Sequence, residues 1–274
     1  MWMLILLTAL LNQLPATRLE FRNGYPIVSA FLNGQGPYRL LVDTGNSSST
    51  VTPEVAHQIG LAPTHSAVVS SIGGDRTLPG ATTLIRVGTL LTSAELLIAT
   101  LPGLHRLGGN LHGILGQDFL NRSPYLIDYA GRRMLFNDDA ATHAQTMPAP
   151  LPFTSINGRI AIQTRLNDSP SPSRLVLDSG ASHLILYCAR RCPHLASVVT
   201  AAVVTNVGSI PVRTGILHHA TLGPLQFRNR PAALIESPPT QDEADGLIPA
   251  QWFQAIYVDP ARSEIRLQAS GRHR

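Results

Sequence analysis

Two short stretches of the chain, LLVDTGNSSS at 40–49 and LVLDSGASHL at 175–184, repeat one pattern: an apolar run, Asp, a hydroxyl residue, Gly, then further hydroxyls. One such motif is ordinary turn chemistry, because Asp before a flexible residue bends a chain without any further purpose. Two in matching surroundings constrain the fold. The segment RLEFRNGYPIVSAFLNGQGPYRLLVDTG (18–45) alternates apolar and polar residues around Asn-Gly turns, and LPFTSINGRIAIQTRLNDSPSPSRLVLDSG (151–180) repeats that order. Such alternation predicts short antiparallel strands.

The correspondence extends downstream. TPEVAHQIG in the first half and YCARRCPHLAS in the second each read as one short helix. Glycines follow at a constant interval: Gly73 and Gly74 stand 30 and 31 positions after Asp43, and Gly208 stands 30 after Asp178. Each marks a hairpin turn, whether ordinary or specialised. HGILGQDFL (112–120) then answers DGLIPAQWF (245–253), with Gly113 70 positions past Asp43 and Gly246 68 past Asp178. Four landmarks in one order indicate a duplication of about 130 residues, and two copies do not make a solenoid. The division expected is a lobe over 17–140, a Pro- and Ala-rich linker at 141–152, and a second lobe over 153–274.

With 44% hydrophobic and 14% charged residues, the chain has the composition of a folded globular protein. The net charge is +4, and every one of the 21 basic residues is Arg, scattered in pairs at most. A nucleic-acid surface would need a basic stripe with interleaved aromatics, so that partner is not expected. A chain without Lys has no Lys-bearing phosphate loop, and no G-x-S-x-G elbow is present for a serine hydrolase. Cys188 and Cys192 lack the Cys or His partners of a zinc site, which leaves a local disulfide or two free thiols open. His218-His219 falls on an expected strand, where the two rings point to opposite faces. No metal and no cofactor is expected. The apolar stretch from Trp2 to Leu11, with a small-residue cleavage point after Ala16, resembles the apolar region of a signal peptide over 1–16, the alternatives being a misassigned start codon or a buried first strand. The stretch is too short to span a bilayer. An exported, periplasmic or secreted monomer without a stable membrane span is expected.

On these motifs the chain resembles the aspartic proteases, the superfamily of pepsin and the retroviral proteases. The resemblance runs from about residue 18 to 268 and rests on LLVDTG and LVLDSG, on SIGGD and NVGSI, and on GILG and GLIP. It implies an all-β, bilobal acid-protease fold: two duplicated β-barrel-like lobes with short helices, similar to two retroviral-type protomers fused in one chain. It further implies catalytic Asp43 and Asp178, loop support from Thr44, Gly45, Ser179 and Gly180, and flaps at Gly73, Gly74 and Gly208. Thr44 and Ser179 are thereby assigned to mutual bracing of the two loops. Two positions depart from the pattern. Pro249 stands where the first half has Gly116, and the third position after each Asp is Asn46 in one half and Ala181 in the other.

The chemistry explains the motif. Amide hydrolysis without metal or covalent nucleophile needs one group to take a proton from water and another to give one, and two adjacent carboxyls sharing a proton do both. The apolar runs bury the pair, and Gly45 and Gly180 let backbone N–H groups reach the carboxylates. The activity expected is endopeptidase cleavage of an extended polypeptide; the competing reading is a catalytically silent peptide binder, suggested by Pro249 and Asn46. If the Asn46 amide donates to Asp43, then Asp43 carries more of the charge and Asp178 more of the proton. His183 is a lesser candidate for tuning the pair, and Asp128 and Asp259 are expected to be structural turn residues.

Overall fold

The computed structural model describes residues 16–71, 74–108, 110–167, 169–188, 192–205, 208–236 and 244–269. The fold is mostly β, as an aspartic-protease fold requires. The first half supplies β1 (Glu20–Arg22), β2 (Tyr25–Leu32), β3 (Gln35–Val42), β4 (Ser49–Val51), β5 (His65–Ser71), β6 (Gly74–Val87), β7 (Leu90–Ile98) and β8 (Gly113–Leu115). The second supplies β9 (Thr154–Ile156), β10 (Arg159–Leu166), β11 (Ser173–Asp178), β12 (Leu184–Tyr187), β13 (Ala196–Thr205), β14 (Gly208–Leu222), β15 (Leu225–Ile235) and β16 (Gly246–Pro249). The first sheet runs β1-β2-β3-β8-β4-β7-β6-β5 and closes on itself by pairing β2 with β6. The second runs β9-β10-β11-β16-β12-β15-β14-β13 and closes through β10 and β14. Each strand of the second sheet thus occupies the place of the strand eight numbers earlier.

The short crossing strands β8 and β16 position the site. β8 pairs parallel with β3, Val42 opposite Leu115, and β16 pairs parallel with β11, Asp178 opposite Pro249. Parallel strands buried on both faces need continuous apolar sequence, which is why LLV and LVL precede the two aspartates. Leu40, Val42, Leu175 and Leu177 are fully buried.

A third, six-stranded sheet joins the halves. Its centre is Tyr125–Asp128 paired antiparallel with Phe253–Asp259; Arg133–Phe136 and Thr17–Arg18 extend it on one side, Glu264–Ala269 and Leu151–Pro152 on the other. The largest buried cluster draws on both halves, including Leu19, Phe119, Tyr125, Leu177 and Ile256. Asp128 accepts from the Gly131 N–H at 2.6 Å and pairs with Arg133, and Asp259 accepts from the Arg262 N–H at 3.2 Å, so both carboxylates tie down turns of this sheet.

Two expectations need correction. The stretch 141–152 is no free linker, because a helix over Asn137–Ala144 crosses its start and Leu151–Pro152 is already a strand at its end. The helix has two acidic residues in its first turn, favourable there, and it buries Ala140 and Ala144. The first short helix forms over Pro53–Gln58, capped by the Thr52 hydroxyl. At its counterpart, 187–197, no described residue is helical and β13 starts at Ala196; residues 189–191 lie outside the described residues. Pro193 disfavours helical geometry at the residue before it. Cys188 and Cys192 are joined as a disulfide.

Candidate active site

The two Asp-hydroxyl-Gly turns meet at the junction of the halves. The Asp43 and Asp178 carboxyls share a hydrogen bond; Asp178 is only 7% exposed, and Asp43 is half-buried. Gly45 donates its N–H to Asp43 Oδ1 at 3.0 Å, and Gly180 donates to Asp178 Oδ1 at 2.7 Å. Each glycine also lies against the opposite carboxyl. A methyl at Gly180 would stand 2.8 Å from the Asp43 carboxyl carbon, and one at Gly45 would strike Asp178. Only a residue without a side chain lets the turns approach this closely.

Behind the carboxyls the two hydroxyl residues clasp each other's loops. Thr44 Oγ1 donates to the Leu177 carbonyl at 2.8 Å and accepts from the Ser179 N–H at 3.0 Å. Ser179 Oγ donates to the Val42 carbonyl at 2.7 Å and accepts from the Thr44 N–H at 2.9 Å. Four backbone groups that a buried turn would strand are thus satisfied across the junction. Thr44 is fully buried and Ser179 nearly so.

Burial raises the proton affinity of both carboxyls, and the neighbouring negative charge raises Asp43 further. Asn46 does not make the donation that would have favoured the Asp43 anion. The Asn46 backbone N–H bonds the Asp43 carbonyl, and no hydrogen bond joins its side-chain amide to the Asp43 carboxyl. Asp178 instead is held by two backbone N–H groups, those of Gly180 and Ala181, against one for Asp43. Both carboxyls are thus held above their ordinary values, Asp43 well above, and the two titrate as one pair.

Residues 28–119 match the family model of the aspartyl proteases. The match covers about a third of the chain and supports a retropepsin/pepsin-like aspartic protease family for that segment. No curated protein matches the chain. The matched segment runs from β2 through β8, and so contains every element that builds the first of the two aspartyl protease turns.

The departure at Pro249 has a local explanation. In the first half the Gly116 N–H donates to Ser49 Oγ at 3.0 Å, and Ser49 gives its own N–H and hydroxyl to Asp118 Oδ1 at 2.9 and 2.7 Å. By register the second half has Leu184 at the place of Ser49, fully buried, so the N–H that Pro249 lacks has no hydroxyl waiting for it. Gln251, at the place of Asp118, donates to the Ala181 carbonyl at 3.2 Å instead. One half holds its loop through a carboxylate, the other through an amide and apolar packing.

Asp118 is a functional neighbour that the sequence pattern did not single out. Its Oδ2 is buried without a partner, and burial raises its pKa to about 6. A carboxyl raised in the folded state contributes stability that is fully present below its unfolded value near 3.8 and lost as pH rises through about 6. Asp118→Asn is expected to flatten the stability profile between pH 4 and 7, removing a decline of up to about 3 kcal/mol at this group. Denaturant titrations of both proteins at pH 4 and 7 measure it; a parallel decline in the variant assigns the loss to other groups.

Around the aspartates lies a cleft of about 860 Å³ walled by both halves. Val69 of β5, and Val199 and Ala201 of β13, line it, so the two long hairpins β5–β6 and β13–β14 contribute to its walls. Gly74 pairs with Ser71 across the first hairpin turn, at φ +106°, where a side chain would be strained, and Gly208 pairs with Thr205 across the second. Gly73 lies outside the described residues. His183 lines the cleft next to its contact with Ser182, whereas His218 points to solvent on β14. Two further neighbours were not legible: Arg159, whose positive charge draws down the proton affinity of both aspartates, and Tyr129, a buried phenol under the pair with no hydrogen-bond partner for its hydroxyl. Arg159 sits at the start of β10 where the repeat has Tyr25, and nothing in its local pattern separates it from the other surface arginines. Among the described residues, no cluster of three or more His, Cys, Asp and Glu is arranged to hold a metal, and no helix is long and apolar enough to cross a membrane.

Proposed function

We propose that the chain is an aspartic endopeptidase that hydrolyses peptide bonds of extended polypeptides with water activated between Asp43 and Asp178. The observation that carries this reading is the pair itself: two buried carboxyls in hydrogen-bond contact, each loop clasped to the other. Two adjacent carboxyls of this kind cannot both ionise cheaply, so the pair keeps one proton over a range of pH. The ionised member, Asp178, takes a proton from water as the water oxygen attacks the carbonyl carbon. Asp43 gives its proton to the carbonyl oxygen. The tetrahedral diol then collapses: the C–N bond breaks, the proton held on Asp178 goes to the leaving nitrogen, and Asp43 recovers one from the diol hydroxyl.

The cleft supports a polypeptide substrate. Its hairpin walls offer strand edges to an extended chain, as β-addition requires, and its apolar side chains shield the reacting groups from bulk water. A catalytically silent peptide binder is the alternative; the peptidase reading is favoured because Pro249 faces Leu184 and not a hydroxyl in need of a donor, and no hydrogen bond joins the Asn46 amide to the Asp43 carboxyl. The decisive assay is cleavage of an unfolded protein from pH 3 to 7, with and without a statine-type transition-state mimic. Turnover suppressed by the mimic is expected; no turnover at any pH in that range removes the reading. Export as a monomer is part of the same proposal, supported by the apolar leader over 1–16, all but the last residue of which lies outside the described residues. Intact mass of the mature protein should lack that leader.

A further inference from the structure

Charge in the cleft is one-sided. Apart from Asp43 and Asp178, the only ionisable side chains lining it that carry charge at neutral or mildly acidic pH are Arg159, Arg106 and, when protonated, His183; no other carboxylate faces it among the described residues. Arg106 is exposed on the short helix Pro102–Leu107, which packs Leu104 and Leu107 against the first-half wall of the cleft. Arg159 is half-buried at the start of β10 and lies close enough to pull on both carboxyls. Tyr25, its counterpart in the repeat, also lines the cleft, so the duplicated positions differ in charge while sharing the space.

Much of the rest of the wall is apolar, including Leu41, Ile114, Ile185 and Leu247, and its other polar side chains, such as Asn46, Ser70 and Thr214, are uncharged. An apolar substrate side chain fits these patches. Arg106 and Arg159 line the same cleft as these patches, so a residue flanking the bound apolar one can meet them. A guanidinium has five N–H donors in a planar fork matched to a carboxylate, and can take one while serving another neighbour. Low-dielectric walls strengthen that attraction over its value in water.

We propose that the cleft selects acidic polypeptides: an apolar residue at the cleaved bond with Glu or Asp flanking it, read by Arg159 and Arg106. This rests on the peptidase reading for its turnover but not for its binding. The excess of positive charge on the whole chain, +4, acts in the same direction by steering acidic segments to it.

The test uses matched peptides that differ only by Glu or Gln beside one apolar cleavage site, assayed at pH 6, where Glu is ionised. A preference for Glu of roughly tenfold in kcat/KM is expected, the size of one well-placed charged contact, carried mainly in KM and falling as salt rises. In Arg159→Gln and Arg106→Gln the Glu-to-Gln ratio should fall toward one, and Arg106, being exposed, keeps the test valid if the Arg159 variant does not fold. The same pair of peptides with a reduced, uncleavable bond is titrated by calorimetry. Tighter binding of the Glu analogue without any turnover would uphold the acidic preference and sink the peptidase reading. A ratio of one or below in the parent, in cleavage and in binding alike, overturns the proposal.

Discussion

Asn at either Asp43 or Asp178 is expected to lower kcat/KM by roughly a thousandfold or more, because each carboxyl is a proton carrier in the same step and neither can substitute for the other. The double variant should be little worse than either single one, as groups that act as a unit lose their effect together. Folding should not suffer. Burial raises the folded-state proton affinity of both carboxyls, so their stabilising contribution is full below the unfolded pKa near 3.8 and is lost as pH rises through the folded values. Asn titrates nowhere in that range, and its amide can still bridge to the remaining carboxyl. Each variant should therefore match the parent in strong acid and exceed it in stability toward neutrality. Thermal melts at pH 3 and pH 7 with peptide turnover on the same samples measure both. A variant that keeps most of its turnover refutes the shared-proton mechanism, and one that unfolds at pH 7 refutes the electrostatic account.

The legible part of this fold was whatever repeats locally. LLVDTG and LVLDSG mark β3 and β11 because a strand buried on both faces must be continuously apolar, and the turn after it must approach another backbone. Gly113 and Gly246 mark β8 and β16 by their matching distance from those turns. The six-stranded sheet was less visible, since Tyr125–Asp128 and Phe253–Asp259 are short strands whose partnership crosses some 130 residues, and nothing in either sequence names the other. The second helix shows the limit of spacing: YCARRC has helical spacing, but none of its described residues is helical, 189–191 lie outside the described residues, and a strand starts at Ala196. At the site, the residue types were evident and the proton was not. Asn46 offered a side-chain donor to Asp43, yet the hydrogen bonds that the carboxyls receive from the loops come from backbone N–H groups of Gly45, Gly180 and Ala181, which side-chain identity does not announce. Arg159 was invisible for a related reason: its influence on the aspartates exists only once β10 lies beside both loops.

The clasp beneath the aspartates carries the second large effect. Thr44→Val keeps the shape of the side chain and deletes the hydroxyl, which leaves the Leu177 carbonyl and the Ser179 N–H buried without a partner. A buried orphan of this kind costs about 1–3 kcal/mol, so the substitution should cost about 3 kcal/mol in all. For a chain of this size that lowers Tm by roughly 6–12 °C. Ser179→Ala strands the Val42 carbonyl and the Thr44 N–H and should cost a similar amount. The two hydroxyls do not bond each other, yet they hold one junction. Once either is lost the loops part enough for water to reach the remaining groups, and the double variant should cost clearly less than the two single losses added together. Thr44→Ser retains every bond and should stay within about 1 kcal/mol of the parent, since Ser already fills the corresponding place in the other half. Activity should follow the same order for a geometric reason: with the loops no longer clasped, Asp43 and Asp178 lose their contact and the pair no longer shares a proton. The pH–rate profile of Thr44→Val should therefore draw in from its alkaline side as well as lose height, because a separated carboxyl gives up the once-shared proton near its ordinary value. Equal stability losses with an unaltered profile would mean that the clasp supports the fold and leaves the dyad's spacing to other contacts.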